Sequence, residues 1–230
     1  MTADRFPSVR TLGINANGKE CVYQNGSPLP IILSRSWPSV TQLNLAGNIK
    51  RDDHSYIASA LPNLITLNYS SNADSHDLAD LVPKFKFLQV LALDNYYREH
   101  NPEPSTIIMP KKVMNRLRLI KVYKLTLTVD MVRFIFYFCP DLVELNLDDC
   151  TVSKDVIEHA NRISRTMKSP VRQLKLMGFS QTKPDLWVEF ISEFRNLKEI
   201  FIDNACAGAD HLEVVLTERL SHVKVTQYRG

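Results

Sequence analysis

One pattern recurs along the chain and constrains its fold more than any other feature. It is an apolar residue, two variable positions, a second apolar residue, one variable position and a third apolar residue. The clearest copies are WPSVTQLNLAGN, LPNLITLNYSSN, FKFLQVLALDN, CPDLVELNLDDC and FRNLKEIFIDNAC, which align without gaps. The first apolar residues of the copies are Val9, Val40, Leu64, Leu88, Leu117, Leu142, Val171, Leu197 and Leu220, nine units separated by 31, 24, 24, 29, 25, 29, 26 and 23 residues. Self-similarity at such a period implies stacked supersecondary units, because one unit cannot bury its apolar side without a neighbour.

The centre of each unit alternates apolar and variable residues, which predicts a short strand with side chains on alternating faces. Leu43 and Leu45, Leu67 and Tyr69, Leu91 and Leu93, Leu145 and Leu147, and Leu174 and Leu176 then point inward, and in the ninth unit Val223 and Val225 do so. Between strands the period shifts toward 3.6 in SHDLADLV, VDMVRFIFYF, KDVIEHANRISRTM, KPDLWVEFISEF and DHLEVVLTERL, which predicts helices. Two stretches rich in Pro and turn formers, residues 22–37 and 96–112, read as loops.

These nine copies resemble the leucine-rich repeat family over nearly the whole chain. The resemblance implies an α/β solenoid, a horseshoe of about nine repeats with a parallel sheet on the concave side and helices on the convex side, forming one domain over residues 1–230. Repeats of this family turn at an Asn after the strand, and Asn17, Asn48 and Asn72 stand there. Cys150 holds the place in the sixth unit, resembling a cysteine-containing subclass, whereas Tyr96, Leu125, Phe179, Ala205 and Tyr228 hold it elsewhere. An irregular stack without a continuous polar ladder is therefore expected. Val9 starts a unit after eight residues and only Arg229 and Gly230 follow Tyr228, so a cap is expected to be lacking at one or both ends, leaving an open sheet edge.

Units that carry a strand and a helix in 24 to 29 residues look like those of ribonuclease inhibitor and of the repeat domains of F-box proteins. The second likeness implies the substrate-recognition part of an F-box ubiquitin ligase subunit, whose ligase scaffold is held by a segment outside this chain. An inhibitor or regulator of a small GTPase or nuclease, or an RNA-associated adaptor, is the alternative.

Residues that carry chemistry are scattered. His54, His76, His100, His159, His211 and His222 stand apart, and no glycine-rich phosphate loop follows a strand. No catalytic residue, metal ligand or cofactor is expected. Cys21, Cys139, Cys150 and Cys206 lie far apart without a Cys-x-x-Cys pair, which predicts buried thiols in a reducing compartment, cytoplasmic or nuclear. The most apolar stretch, near Phe134 to Phe138, is too short to cross a bilayer, and the first ten residues lack the apolar run of a secretory signal.

Outward strand positions form three columns. From the fourth unit on, they mix large apolar side chains with charges. The candidate partner-binding residues are Leu119, Lys121, Tyr123, Asp148, Lys175, Met177, Phe201 and Asp203. In the ninth unit the outward residues are read as His222, Lys224 and Thr226. Residues 84–124 hold nine Lys or Arg against three Asp or Glu, and residues 125–160 hold two against seven, which suits a charge-complementary protein partner. Lys111, Lys112, Arg116, Arg118, Lys121 and Lys124, with Tyr96, Tyr97 and Tyr123, carry the RNA alternative.

Overall fold

The computed structural model describes residues 8–15, 36–47, 53–70, 75–94, 106–178, 184–204 and 208–228. Its strands, in chain order, are β1 (Thr11–Asn15), β2 (Gln42–Ala46), β3 (Thr66–Ser70), β4 (Ser75–Asp77), β5 (Val90–Asp94) and β6 (Thr106–Ile108). They continue with β7 (Leu119–Tyr123), β8 (Glu144–Asp148), β9 (Gln173–Met177), β10 (Glu199–Asp203) and β11 (Lys224–Tyr228). Nine of them form one sheet in the order β1-β2-β3-β5-β7-β8-β9-β10-β11, and every neighbouring pair is parallel. The sheet grows by one strand per unit, so the repeat read from the sequence is a repeat in space.

The backbone shows why the units stack in register. Most strands of the sheet are entered through a tight turn that starts at an apolar residue, as where Leu64 N–H donates to Leu61 O (3.3 Å), Leu142 N–H to Cys139 O (3.2 Å) and Leu197 N–H to Phe194 O (2.9 Å), whereas before β9 Val171 N–H donates to Ser169 Oγ (3.2 Å). Two successive N–H groups then converge on one carbonyl of the preceding unit. Val143 and Glu144 meet Arg118 O at 2.9 and 3.0 Å, and Arg172 and Gln173 meet Val143 O at the same distances. Just past the strand the chain turns through positive φ at Gly47, Lys124, Asp149 and Gly178. Lys124 N–H and Asp149 N–H each donate across to the last carbonyl of the next strand, at 2.8 Å. Gly178 has φ +60° and leaves no room for a Cβ, which would lie 3.0 Å from both Asp148 Oδ1 and Asp149 N.

Eight strands begin two residues after the first apolar residue of their unit, as the pattern requires. The ninth begins four residues after Leu220, and Glu199 pairs with Lys224 instead of His222. Leu220 is used in the entry turn, where its carbonyl accepts from Val223 N–H (2.8 Å), and Lys224 N–H is bound to Lys198 O (2.8 Å). The residues opposite inward Ile200 and Ile202 are therefore Val225 and Gln227, and Tyr228, not Thr226, stands opposite Asp203.

Five α-helices occur among the described residues: α1 (Asp53–Ala60), α2 (Val129–Arg133), α3 (Lys154–Ser164), α4 (Pro184–Ser192) and α5 (Ala209–Arg219). A π-helical turn, Phe134–Phe138, continues α2. Thr128 caps α2 by accepting from Met131 N–H (3.2 Å). From α2 onward each helix packs on the next. Their apolar faces share one core with the inward strand residues, including Leu145, Leu147, Leu174 and Leu176. Trp187, Phe190, Phe194 and Phe136 interlock there, with ring centroids 5.2 to 6.0 Å apart along the chain of contacts.

Two expectations are corrected. SHDLADLV is not a helix: it opens with strand β4 and is followed by a 3₁₀ turn at Val82–Lys84, with Leu78, Leu81 and Val82 buried. The 96–112 stretch is not wholly a loop, because β6 pairs in parallel with β4 as a second, two-stranded sheet. Residues 22–35 and 96–105 lie outside the described residues. No described helix is long and apolar enough to cross a membrane.

Candidate binding face

Alternation along each strand puts residues such as Ile120 and Val122 in the core and the residues between them on the other face. Leu119, Lys121, Tyr123, Asp148, Lys175, Met177, Phe201 and Asp203 all stand on that other face, which the described helices leave uncovered, and each is half-buried. The register brings them together. Leu119, Glu144, Gln173 and Glu199 form one row, Lys121, Asn146, Lys175 and Phe201 the next, and Tyr123, Asp148 and Met177 the third.

Contacts within these rows hold the face in shape. Lys175 Nζ lies 2.6 Å from Glu144 Oε1 and 5.8 Å from the centre of the Phe201 ring, so one ammonium joins a carboxylate and an aromatic face. Gln173 Nε2 donates to Glu199 Oε2 (2.8 Å). Among the earlier strands, Asn68 Nδ2 donates to Asn44 Oδ1 (2.6 Å), and Gln42 Nε2 approaches the same oxygen at 3.3 Å. Small outward residues there, Gly13, Ala46, Ser70 and Ala92, leave an open depression of about 570 Å³ that reaches Lys121 and Tyr123.

The third row concentrates negative charge. Burial pushes the Asp148 carboxyl above its ordinary value of 3.8; Asp149 and Asp203 push the same way, and Lys124 opposes them. The Tyr123 hydroxyl is also raised, by burial first and then by Asp148 and Asp94. A carboxyl raised in the folded state binds its proton more tightly there, so its ionisation costs stability as pH rises above the unfolded value. Asp148→Asn is therefore expected to raise the melting temperature at pH 7 by about 1 to 3 °C. That gain should vanish below about pH 3.8, where the aspartate is protonated in both states. Melting curves at pH 7 and pH 3 check it, and a destabilised variant at pH 7 would contradict the assigned repulsion.

Sequence reasoning missed several features of this face. Asn146 and Ala92, both outward, are only 7% and 6% exposed, and Asn146 Oδ1 is buried without a hydrogen-bond donor. Alternation gives a side chain's direction but carries no signal of how closely its cross-strand neighbours cover it. Tyr228 joins the third row through the corrected register.

The cations of the basic run have different surroundings, and Lys111 and Lys112 are exposed. Arg116 lies over the Phe87 ring (4.8 Å), Arg118 pairs with Asp141 (3.7 Å), Lys121 is on the uncovered face and Lys124 acts on Asp148. Tyr96 and Tyr97 lie outside the described residues.

Cys150 is buried, and its thiol donates to Val122 O at 3.2 Å, a backbone carbonyl near the end of β7 in the neighbouring unit. Burial pushes it up to about 12, so it stays a thiol at neutral pH. Cys139 is buried as well. Leu125 is also buried at its turn. Asn17, Asn48, Asn72, Tyr96, Phe179, Ala205, Cys21 and Cys206 lie outside the described residues. Among the described residues no three His, Cys, Asp or Glu side chains are grouped as metal ligands. Compared with known protein families and with curated proteins, the chain matches none.

Proposed function

We propose that this chain is a protein-interaction module of the leucine-rich repeat type, a curved solenoid that receives a protein partner on the concave side of its sheet. The observation that carries the reading is the uncovered sheet face, where Leu119, Tyr123, Met177 and Phe201 stand half-buried among Lys121, Lys175, Asp148 and Asp203. Aromatic and aliphatic anchors inside a charged frame are the composition of an interface hot spot. The order of strands along the chain, the shared turn geometry and the Cys150 contact across units support the repeat type. The module performs no reaction in this reading and takes no cofactor. Its buried thiols Cys139 and Cys150 suit a reducing compartment, cytoplasmic or nuclear.

Within that class, substrate recognition for an F-box ubiquitin ligase rests on repeat type alone, and fold does not fix function. Co-purification of the full-length gene product with a ligase scaffold separates it from regulation of a GTPase or nuclease. The module reading itself is tested by replacing Tyr123, Met177 and Phe201 with Ser and measuring retention of the co-purifying partner.

A further inference from the structure

The uncovered face has two halves. From β7 onward it carries the aromatic, aliphatic and charged residues described above, whereas across β2 and β3 its outward residues, Gln42, Asn44, Ala46, Thr66, Asn68 and Ser70, are all neutral. Over this second half lies the open depression of about 570 Å³, a volume within the range of sites that bury a bound group.

Two observations in its lining point outside the chain. Gly13 stands in the middle of β1, yet a Cβ there would meet nothing within 4 Å, and its φ is not positive. Neither crowding nor backbone conformation within the fold calls for a glycine, which weakens a strand and marks places where another backbone comes close. At the opposite end stands Lys121, half-buried, with no hydrogen bond or ion pair among the described residues. Its neighbours in the row are Ala92 and Asn146, neither of them charged, while Lys175 two strands on is held by Glu144. A partly desolvated ammonium without a counter-charge is stabilised by a carboxylate brought to it. Asp94, the other charged residue of the lining, is in the third row and is engaged within the chain. Between Lys121 and Asn68 the row holds only the methyl group of Ala92. Asn68 donates to Asn44 (2.6 Å), and its own carbonyl oxygen receives no donor among the described residues.

We propose that the depression receives a neutral, extended segment of the protein partner that carries one Asp or Glu. The segment backbone passes close over Gly13 and Ala46, an N–H of it donates to Asn68 Oδ1, and the carboxylate accepts from Lys121 Nζ above Ala92. From β1 to β7 there are four strand spacings, about 19 Å, which about six extended residues span. This rests on the protein-binding reading and adds the chemistry of the segment that binds.

The test titrates the isotope-labelled full chain by NMR with the capped hexapeptide Ser-Ala-Ser-Ala-Ser-Glu and with forms that end in Gln or Lys instead of Glu. The Glu form is expected to bind with a dissociation constant of about 1 mM or below and to perturb Gly13, Asn68, Ala92 and Lys121. It should bind about fivefold more tightly than the Gln form, and the Lys form should be weaker still. Lys121→Met should erase the preference for Glu over Gln, and Lys121→Arg should retain it. Gly13→Ile fills the depression from an unstrained position, so it should weaken the Glu form at least about tenfold while raising the melting temperature by about 2 °C, because a β-branched residue replaces glycine in a strand. No binding of the Glu form, equal affinity for the Glu and Gln forms, a preference that survives Lys121→Met, or a melting temperature lowered by Gly13→Ile would overturn the proposal. So would N-acetylglutamate binding as tightly as the hexapeptide, which would make this a small-carboxylate site, or tighter binding of a single-stranded RNA at Lys121. A native partner that is lost on replacing Tyr123, Met177 and Phe201 but retained by both Gly13→Ile and Lys121→Met would remove the acidic-segment proposal and leave the interaction module standing.

Discussion

Replacing Tyr123, Met177 and Phe201 together by Ser is expected to weaken partner binding by a hundredfold or more while lowering the melting temperature by only a few degrees. Truncating a hot-spot anchor costs about 2 kcal/mol or more, and two such losses already exceed a factor of 100. The cost to folding is smaller because none of the three is in the apolar core. What the folded chain loses is partial cover between strands and, at Phe201, the contact with the Lys175 ammonium, worth about 0.5 to 1 kcal/mol at an exposed site. Binding measured together with thermal melting separates the two effects. Intact binding would show that the partner sits elsewhere, and a collapsed melting temperature would show that these side chains are part of the core.

A second pair of substitutions tests the alternation on which the whole face depends. Leu174 and Lys175 are neighbours on β9, yet Leu174 is fully buried, whereas the Lys175 side chain is 36% exposed. Leu174→Ala is expected to cost about 3 to 5 kcal/mol, because the removed methyls leave a cavity between adjacent strands and the helix layer. At this chain length that lowers the melting temperature by roughly 10 °C. Lys175→Ala forfeits the contact with Glu144 and should cost less than about 1 kcal/mol. Chemical denaturation of both variants is decisive, since a one-residue slip of the strand would reverse the order of the two.

Most of the sheet was legible in the sequence because its signal is local and repeated. Leu43 and Leu45 or Leu145 and Leu147 mark the inward face by alternation alone, and eight strand positions follow from the pattern. The ninth was not legible, because Leu220, Val223 and Val225 fit the apolar pattern better than the pair that takes the inward places, Val225 and Gln227. The choice between them is made by hydrogen bonds to Lys198 and Leu220 that composition does not encode. The strand at Ser75–Asp77 was read as helix because Leu78, Leu81 and Val82 have helical spacing. Its actual partner, Thr106–Ile108, lies about thirty residues away and leaves no mark in a local window. Helix α1 went unrecognised for the opposite reason: in DHSYIASA only Ile57 is a large buried apolar residue.

The candidate face was legible as a set of outward positions and less so as a site. Spacing gave the directions of Tyr123, Met177 and Phe201. It did not reveal the burial of Asn146, which depends on side chains of two neighbouring strands, or the place of Tyr228 in the third row, which needed the register of β11.

The most direct measurement places a photoreactive phenylalanine analogue at Phe201, on the uncovered sheet face, and separately at Tyr137, 42% exposed in the π-helical turn on the helix side. After irradiation of the native complex, the partner is expected to be covalently captured from position 201 and not from position 137. Capture from position 137 alone would contradict a binding site on the sheet.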